Sequence, residues 1–262
     1  MKVTNTSKTM LKYQKAKAKL IEFSVDREDY PKFPLNSNEL SYSTVYIISK
    51  YVESIIDSNL DDQKTFEPYL EMASQYFDAA LKSRDREEYS LDFLLSGITA
   101  YFMGDDFGSA KVLCMEIKAD DNGKFAEGIL IAVYKYLLEN QNYGDQFSDA
   151  MARKLFRLFI DFFENNISEN QIFQAIDIVR RDIYEKEDCL EIFYIDILLA
   201  VIIRASERTS KKLLTLYSNL PYEVWGDYLK QKNSIKMLWP SQQVVGECGG
   251  LAGENILVQL ST

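Results

Sequence analysis

The chain has 262 residues, is 47% hydrophobic and 27% charged, and carries a formal net charge of −10. This is a globular composition with ample material for a core, and its acidic balance argues against a surface given over to nucleic acid. With no histidine there is no Ser-His-Asp or Cys-His catalysis and no histidine metal site. Cys114, Cys189 and Cys248 are far apart and odd in number, which suits neither a disulfide framework nor a zinc site and implies a reducing, cytoplasmic setting. No apolar run reaches the ~20 residues of a membrane span. The most apolar segment, Ile192 to Ile203, is broken by Asp196.

Residues 1–20 hold Lys2, Lys8, Lys12, Lys15, Lys17 and Lys19 and no acid, leaving −16 on the remainder. Such an arm can touch phosphates or an acidic partner, or simply form the solvated face of a first helix over Lys8 to Phe23. In that helix Leu11, Leu20, Ile21 and Phe23 would turn inward. After a loop through Pro31 and Pro34, Asn36 with Glu39 suggests a helix start. The stripe Val45, Ile48, Val52 and Ile55-Ile56 gives that helix a buried face. Asp57 to Gln63 reads as a break. Thr65 then caps a third helix, with Pro68 in its first turn and Tyr69, Met72, Tyr76 and Ala80 inward, ended by a turn at Ser83-Arg84-Asp85.

Leu91, Leu94-Leu95, Ile98 and Tyr101-Phe102 form the next helix, stopped by Gly104. Phe107, Ala110, Leu113-Cys114 and Ile117 continue on its partner. The spacing Tyr101, Gly104, Phe107, Ala110 resembles the inter-helix turn of a tetratricopeptide hairpin, and the small Gly97 and Ala100 would permit close helix approach. Asp105-Asp106 suits the positive end of the second helix better than an acid–base pair, because neighbouring helical residues diverge. Asp120-Asp121-Asn122-Gly123 lacks the ligands of a calcium loop and reads as a turn.

Helices follow over Lys124–Asn140, Gln146–Glu164 and Glu169–Tyr184, with a turn at 141–144 and a capping box at Ser168 and Gln171. Leu155-Phe156, Phe159-Ile160 and Phe162-Phe163 make one apolar face broad enough for packing on two sides or, alternatively, for a ligand channel. Arg153, Arg157 and Arg180-Arg181 form a basic cluster offset by Glu185, Glu187 and Asp188. The helix from Cys189 to Arg204 is apolar enough to be central, provided Asp196 meets solvent or an arginine. Shorter helices cover Thr209 to Tyr217 and Tyr222 to Lys230. The polar stretch Gln231 to Ser234 divides a helical domain, 1–233, from a terminal segment, 234–262. No 34-residue period is strict, so the expected fold is all-α, with antiparallel hairpins stacked in a tetratricopeptide-like manner.

The terminal segment has its own pattern. Leu238-Trp239-Pro240-Ser241-Gln242-Gln243 starts a short helix with proline in its first turn. Gly249, Gly250 and Gly253 supply a reversal, and Ile256-Leu257-Val258 reads as a buried parallel strand. This order resembles the start of the RecA-like motor of superfamily 2 helicases, the group of DEAD/DEAH-box and Ski2-like enzymes. The resemblance spans about 25 residues, and it implies that Gln242, or in the alternative register Gln243, reads the edge of adenine. An amide presents a donor and an acceptor side by side, as that edge requires. Trp239 would lie near the base or beneath the turn, and Ser261-Thr262 would open the phosphate loop. No Gly-Lys-Thr follows in the sequence, so the 262 residues lack the cradle for β- and γ-phosphates and magnesium.

The resemblance therefore implies an accessory helical N-terminal domain of an ATP-dependent DNA or RNA helicase, of the kind found in bacterial genome defence. These residues would perform no catalysis and hold no cofactor, with ATP and magnesium bound by the longer parent chain. The partners implied are the parent's own motor domain or another protein, DNA or RNA in the parent, and no membrane. The alternative is a stand-alone helical-repeat scaffold for protein–protein contacts.

Overall fold

A computed structural model describes residues 19–29, 37–82, 91–118, 124–143, 147–164, 167–229 and 234–256, with Thr9, Lys12, Tyr13, Ala16 and Gln231. Among them the α-helices are α1 (Ser37–Ile56), α2 (Leu60–Lys82), α3 (Leu91–Met103), α4 (Phe107–Met115), α5 (Phe125–Glu139), α6 (Ala150–Phe163), α7 (Glu169–Glu185), α8 (Cys189–Glu207), α9 (Ser210–Ser218), α10 (Tyr222–Leu229) and α11 (Pro240–Glu247). A 3₁₀ turn, Gly250–Ala252, follows. The described residues form no strand, and extended backbone pairs at an isolated antiparallel bridge between Thr209 and Met237. The all-α expectation is met.

Each helix from α1 to α7 packs against its successor, as hairpins require. The helix α8 does more, touching α1, α3 and α5 as well as α7. Its sequence explains this: Tyr194, Ile195, Ile197, Leu198, Ala200, Val201 and Ile202 are all buried, so no face of its middle turns is left for water. Asp196 is the exception, and Arg180 Nε donates to its Oδ1 at 2.6 Å while Tyr184 Oη donates to Oδ2 at 2.7 Å. These contacts, reaching across α8 to helices far away in sequence, differ from the neighbour-only packing of an open solenoid.

Local chemistry sets most boundaries as expected. Asp106 caps α4 by accepting from Ser109 N at 3.1 Å, and Gln171 Oε1 accepts from Ser168 N at 2.8 Å to start α7. Gly97 lies where a Cβ would fall 2.9 Å from Leu113 Cδ1 and 3.0 Å from Phe77 Cβ, so its lack of a side chain is what joins α2, α3 and α4. The aromatic face of α6 is packing: Tyr136 of α5 sits among Phe156, Phe159 and Phe163 at centroid distances of 6.4, 5.5 and 6.0 Å.

Other expectations are corrected. Thr65 does not cap a helix, because α2 begins at Leu60, where Asn59 Oδ1 accepts from Asp62 N; Thr65 Oγ1 instead donates to Asp61 O within the helix. Pro68 is consequently interior to α2. The inward stripe of α2 is Phe66, Leu70, Ala73 and Phe77, and Tyr69 and Met72 are only half-buried. Phe23 is 74% exposed and Val45 lies on the outer side of α1, both against expectation. The start of α6 falls at Ala150, because Asp149 Oδ1 accepts from Ala152 N at 2.7 Å. The turns at 83–85 and 120–123, the residues through Asn36 and the strand through Val258 lie outside the described residues. So do Lys2, Lys8, Lys15 and Lys17 of the basic arm; Lys12 and Lys19 are exposed.

A second, smaller core forms beyond α8 from Leu213, Leu214, Leu229 and Leu238, with Tyr217, Trp225 and Leu251 against it. It spans both sides of the 233/234 division expected from sequence. Met237 and Trp239 meanwhile join the main core, so residues 237–239 are held by both.

Candidate functional site

Residues 234–239 lead into α11 and are anchored at the end of α8. Leu238 N donates to Arg208 O at 2.9 Å, Ser210 N donates to Lys236 O at 3.0 Å, and Ser210 Oγ donates to Ile235 O at 2.5 Å. A buried run, Ser234 then Met237 and Leu238, fixes which residues face inward. What remains open is a cleft of about 280 Å³ against α5, lined by Tyr136, Leu138, Lys236, Met237, Trp239 and Gln242 among others.

Trp239 and Gln242 thus share one cleft. They are joined directly, because Gln242 Oε1 accepts from Trp239 N at 2.8 Å and so satisfies a donor at the start of α11. The Gln242 Nε2 has no partner among the described residues, and its Oε1 retains a second lone pair. Gln243 points elsewhere, donating through Nε2 to Leu238 O at 2.8 Å. Thr262 lies outside the described residues. Gly249 and Gly253 adopt φ of 82° and 87°, the left-handed turns that close the end of α11.

Sequence reasoning missed Lys236 and Tyr136. Burial lowers the Lys236 pKa below its ordinary value, opposed by the charge of Glu164. Its ammonium lies 5.9 Å from the centre of the Tyr136 ring. Burial, with Glu164 nearby, pushes the Tyr136 phenol up, and its Oη is buried without a hydrogen-bond partner among the described residues. The available signal was a lysine set between Ile235 and Met237 in an otherwise apolar run.

Asp105 was read only as a charge near a helix dipole. It also accepts from Arg208 Nη2 at 2.6 Å, across 103 positions of sequence. Three of the four arginines of the basic cluster, Arg157 being the exposed exception, have internal partners. Arg180 binds Asp196, Arg181 binds Asp177, and Arg153 Nη2 donates to Phe147 O at 2.6 Å. Cys114 is buried, and burial raises its pKa above the ordinary thiol value, whereas Cys189 and Cys248 are exposed. Among the described residues no group of three or more Cys, Asp or Glu side chains could hold a metal ion, and no helix is long and apolar enough to cross a membrane.

The fold and cleft define an all-α protein with a mixed aromatic and polar cleft at the edge of its main core. No protein-family model, curated protein or solved structure matches the chain.

Proposed function

We propose that this chain is the helical N-terminal module of an ATP-dependent superfamily 2 DNA or RNA helicase, with residues 234–262 opening its first RecA-like motor domain. In this reading the tetratricopeptide-like hairpins brace the motor or dock a partner protein. The observation that supports it is the corner at the start of α11, where Trp239 and Gln242 line one cleft and Gln242 Nε2 has no partner among the described residues. Trp239 and Gln242 would hold the base of ATP: the ring offers a flat apolar surface, and the amide meets a donor–acceptor edge. The phosphates and magnesium would be held by residues beyond Thr262.

The test uses the full-length gene product. Nucleic-acid-stimulated ATP hydrolysis is expected, with Gln242→Ala lowering use of ATP relative to GTP by about one to two decades. A reading frame without a Gly-Lys-Thr loop after Thr262, or an unchanged nucleotide preference, would overturn the proposal. The second reading, a stand-alone scaffold, is favoured by Val112 and Met115, exposed to 58% and 62% and one turn apart on α4. The reading frame separates the two.

A further inference from the structure

We infer that Asp105, in the distant α3–α4 turn, and Arg208, at the end of α8, are positioning residues that set the orientation of the Trp239–Gln242 corner. The role at that corner rests on the nucleotide reading above; the mechanical link rests on geometry alone.

The link starts at Asp105, which follows Gly104 in the left-handed conformation, φ 65°. This conformation is uncommon for a residue with a side chain and is best tolerated by aspartate and asparagine. It directs the carboxylate to the end of α8, where Oδ2 accepts from Arg208 Nη2 at 2.6 Å and Oδ1 lies 3.9 Å from Arg204 Nη2. The Arg208 side chain is only 12% exposed, whereas Asp105 is 38% exposed, so solvent screens the pair from the carboxylate side. Arg204 is braced in turn by donating to Tyr51 Oη at 3.2 Å.

While paired with Asp105, the Arg208 guanidinium also lies over the Phe107 ring, its Cζ 5.4 Å from the ring centre. Phe107 is buried and meets Trp239 edge-on, with centroids 6.2 Å apart and planes at 79°. The backbone of the same arginine holds the other side of the corner, because Arg208 O accepts from Leu238 N. Trp239 N then donates to Gln242 Oε1. One arginine therefore fixes the residue before Trp239 through its carbonyl and the indole ring through Phe107. A lysine has one compact ammonium in place of the broad guanidinium that reaches both Asp105 and the Phe107 ring, so it would not substitute. Without Asp105, Arg208 would lose its ion pair and Arg204 would keep Glu207 at 4.0 Å.

Trp225 and Trp239 are the chain's two tryptophans. In a Trp225→Phe background the emission of Trp239 reports on the corner directly. Asp105→Asn and Arg208→Lys should each raise acrylamide quenching of Trp239 by about twofold or more, with helical circular dichroism retained. Asp106→Ala, which removes the neighbouring cap of α4 but no contact to Arg208, should leave quenching as it was. In the full-length chain Asp105→Asn should raise KM for ATP about fivefold with kcat little changed, the pattern of a misplaced binding corner.

Unchanged quenching in both Asp105→Asn and Arg208→Lys would overturn the link, whatever the chain does with nucleotides. An equal rise in Asp106→Ala would also overturn it, by showing that any loosening of the hairpin is enough. Raised quenching together with a Gln242→Ala protein of unaltered nucleotide preference would uphold the link and remove the nucleotide reading.

Discussion

The ring of Tyr217 occupies the space that a side chain at Gly246 would need: a Cβ there would lie 2.4 Å from Tyr217 Cδ2. The helices α9 and α11 therefore touch at a glycine, and the terminal helix is seated on the second core by that contact. Gly246→Ala would gain about 1 kcal/mol of helix propensity. Overpacking against an aromatic ring costs about 1–3 kcal/mol, so a net loss is expected. The measurement is a urea titration of the 262-residue chain followed by Tyr and Trp fluorescence. Equal or greater stability of the alanine variant would show that Tyr217 moves freely.

Much of the helical body was legible in the sequence because strong caps and broad apolar stripes act locally. Asp106, Ser168 and the run through α8 illustrate this. Errors fell where two local signals competed. Thr65 looks like a cap, but Asn59 is a better one a turn and a half earlier, and moving the helix start drew Pro68 into the interior. The corner itself was named from sequence as Trp239 and Gln242. Its supports, Asp105, Phe107 and Arg208, could not be found that way, since they come from elements some 130 and 30 residues upstream. Pairing over such distances is a property of the packed helices, and no spacing rule encodes it.

Asp196 on α8 and Asp177 on α7 give a matched comparison. Asp196 sits in a partly sheltered pair with Arg180, side chains 23% and 26% exposed, and also accepts from Tyr184. Asp177 pairs with Arg181 where both are far more open. Asp196→Ala should cost about 1–2 kcal/mol, since charged hydrogen bonds are lost and Arg180 is left half-buried. Asp177→Ala should stay within about 0.5 kcal/mol. Chemical denaturation of both variants checks the difference. Equal losses would mean that Asp196 is as well solvated as Asp177.

Glu127 supplies a pH test. Its side chain is buried at the start of α5, where Oε2 accepts from Lys124 N at 3.0 Å. Burial raises its pKa above the ordinary 4.5, the Lys124 N–H opposes this, and the charges of Asp92 and Glu191 add to the rise. The fold thus favours the protonated acid. As pH climbs from about 4.5 through the raised value, the unfolded chain releases its proton first and stability falls; above that interval the loss is complete. Glu127→Gln keeps an acceptor for Lys124 N and removes the charge. Its Tm should exceed that of the parent at pH 7, and the advantage should vanish below pH 4.5, where the glutamate is already neutral in both states. A Tm difference that is flat with pH would contradict the assignment.

Gln242 and Gln243 separate what the corner needs for folding from what it offers a ligand. On a helix they diverge by about 100°, which makes Gln243 look like an inert neighbour. It is not inert, because its Nε2 donates to Leu238 O while Gln242 Oε1 accepts from Trp239 N, so the two amides tie down both sides of the Leu238–Trp239 peptide group. Each substitution to alanine should therefore lower stability by a similar amount, about 0.5–1.5 kcal/mol. The ligand readout should diverge, since only Gln242 lines the cleft and keeps an unengaged donor. In the full-length chain Gln242→Ala should shift nucleotide preference away from adenine. Gln243→Ala should lower Tm alone and leave that preference intact. Parallel thermal melts and ATP-versus-GTP titrations on the two variants decide the matter. If Gln243→Ala carries the larger change in preference, the adenine-facing register is one residue further on. If both variants lose stability and neither alters preference, the amides serve only to start α11.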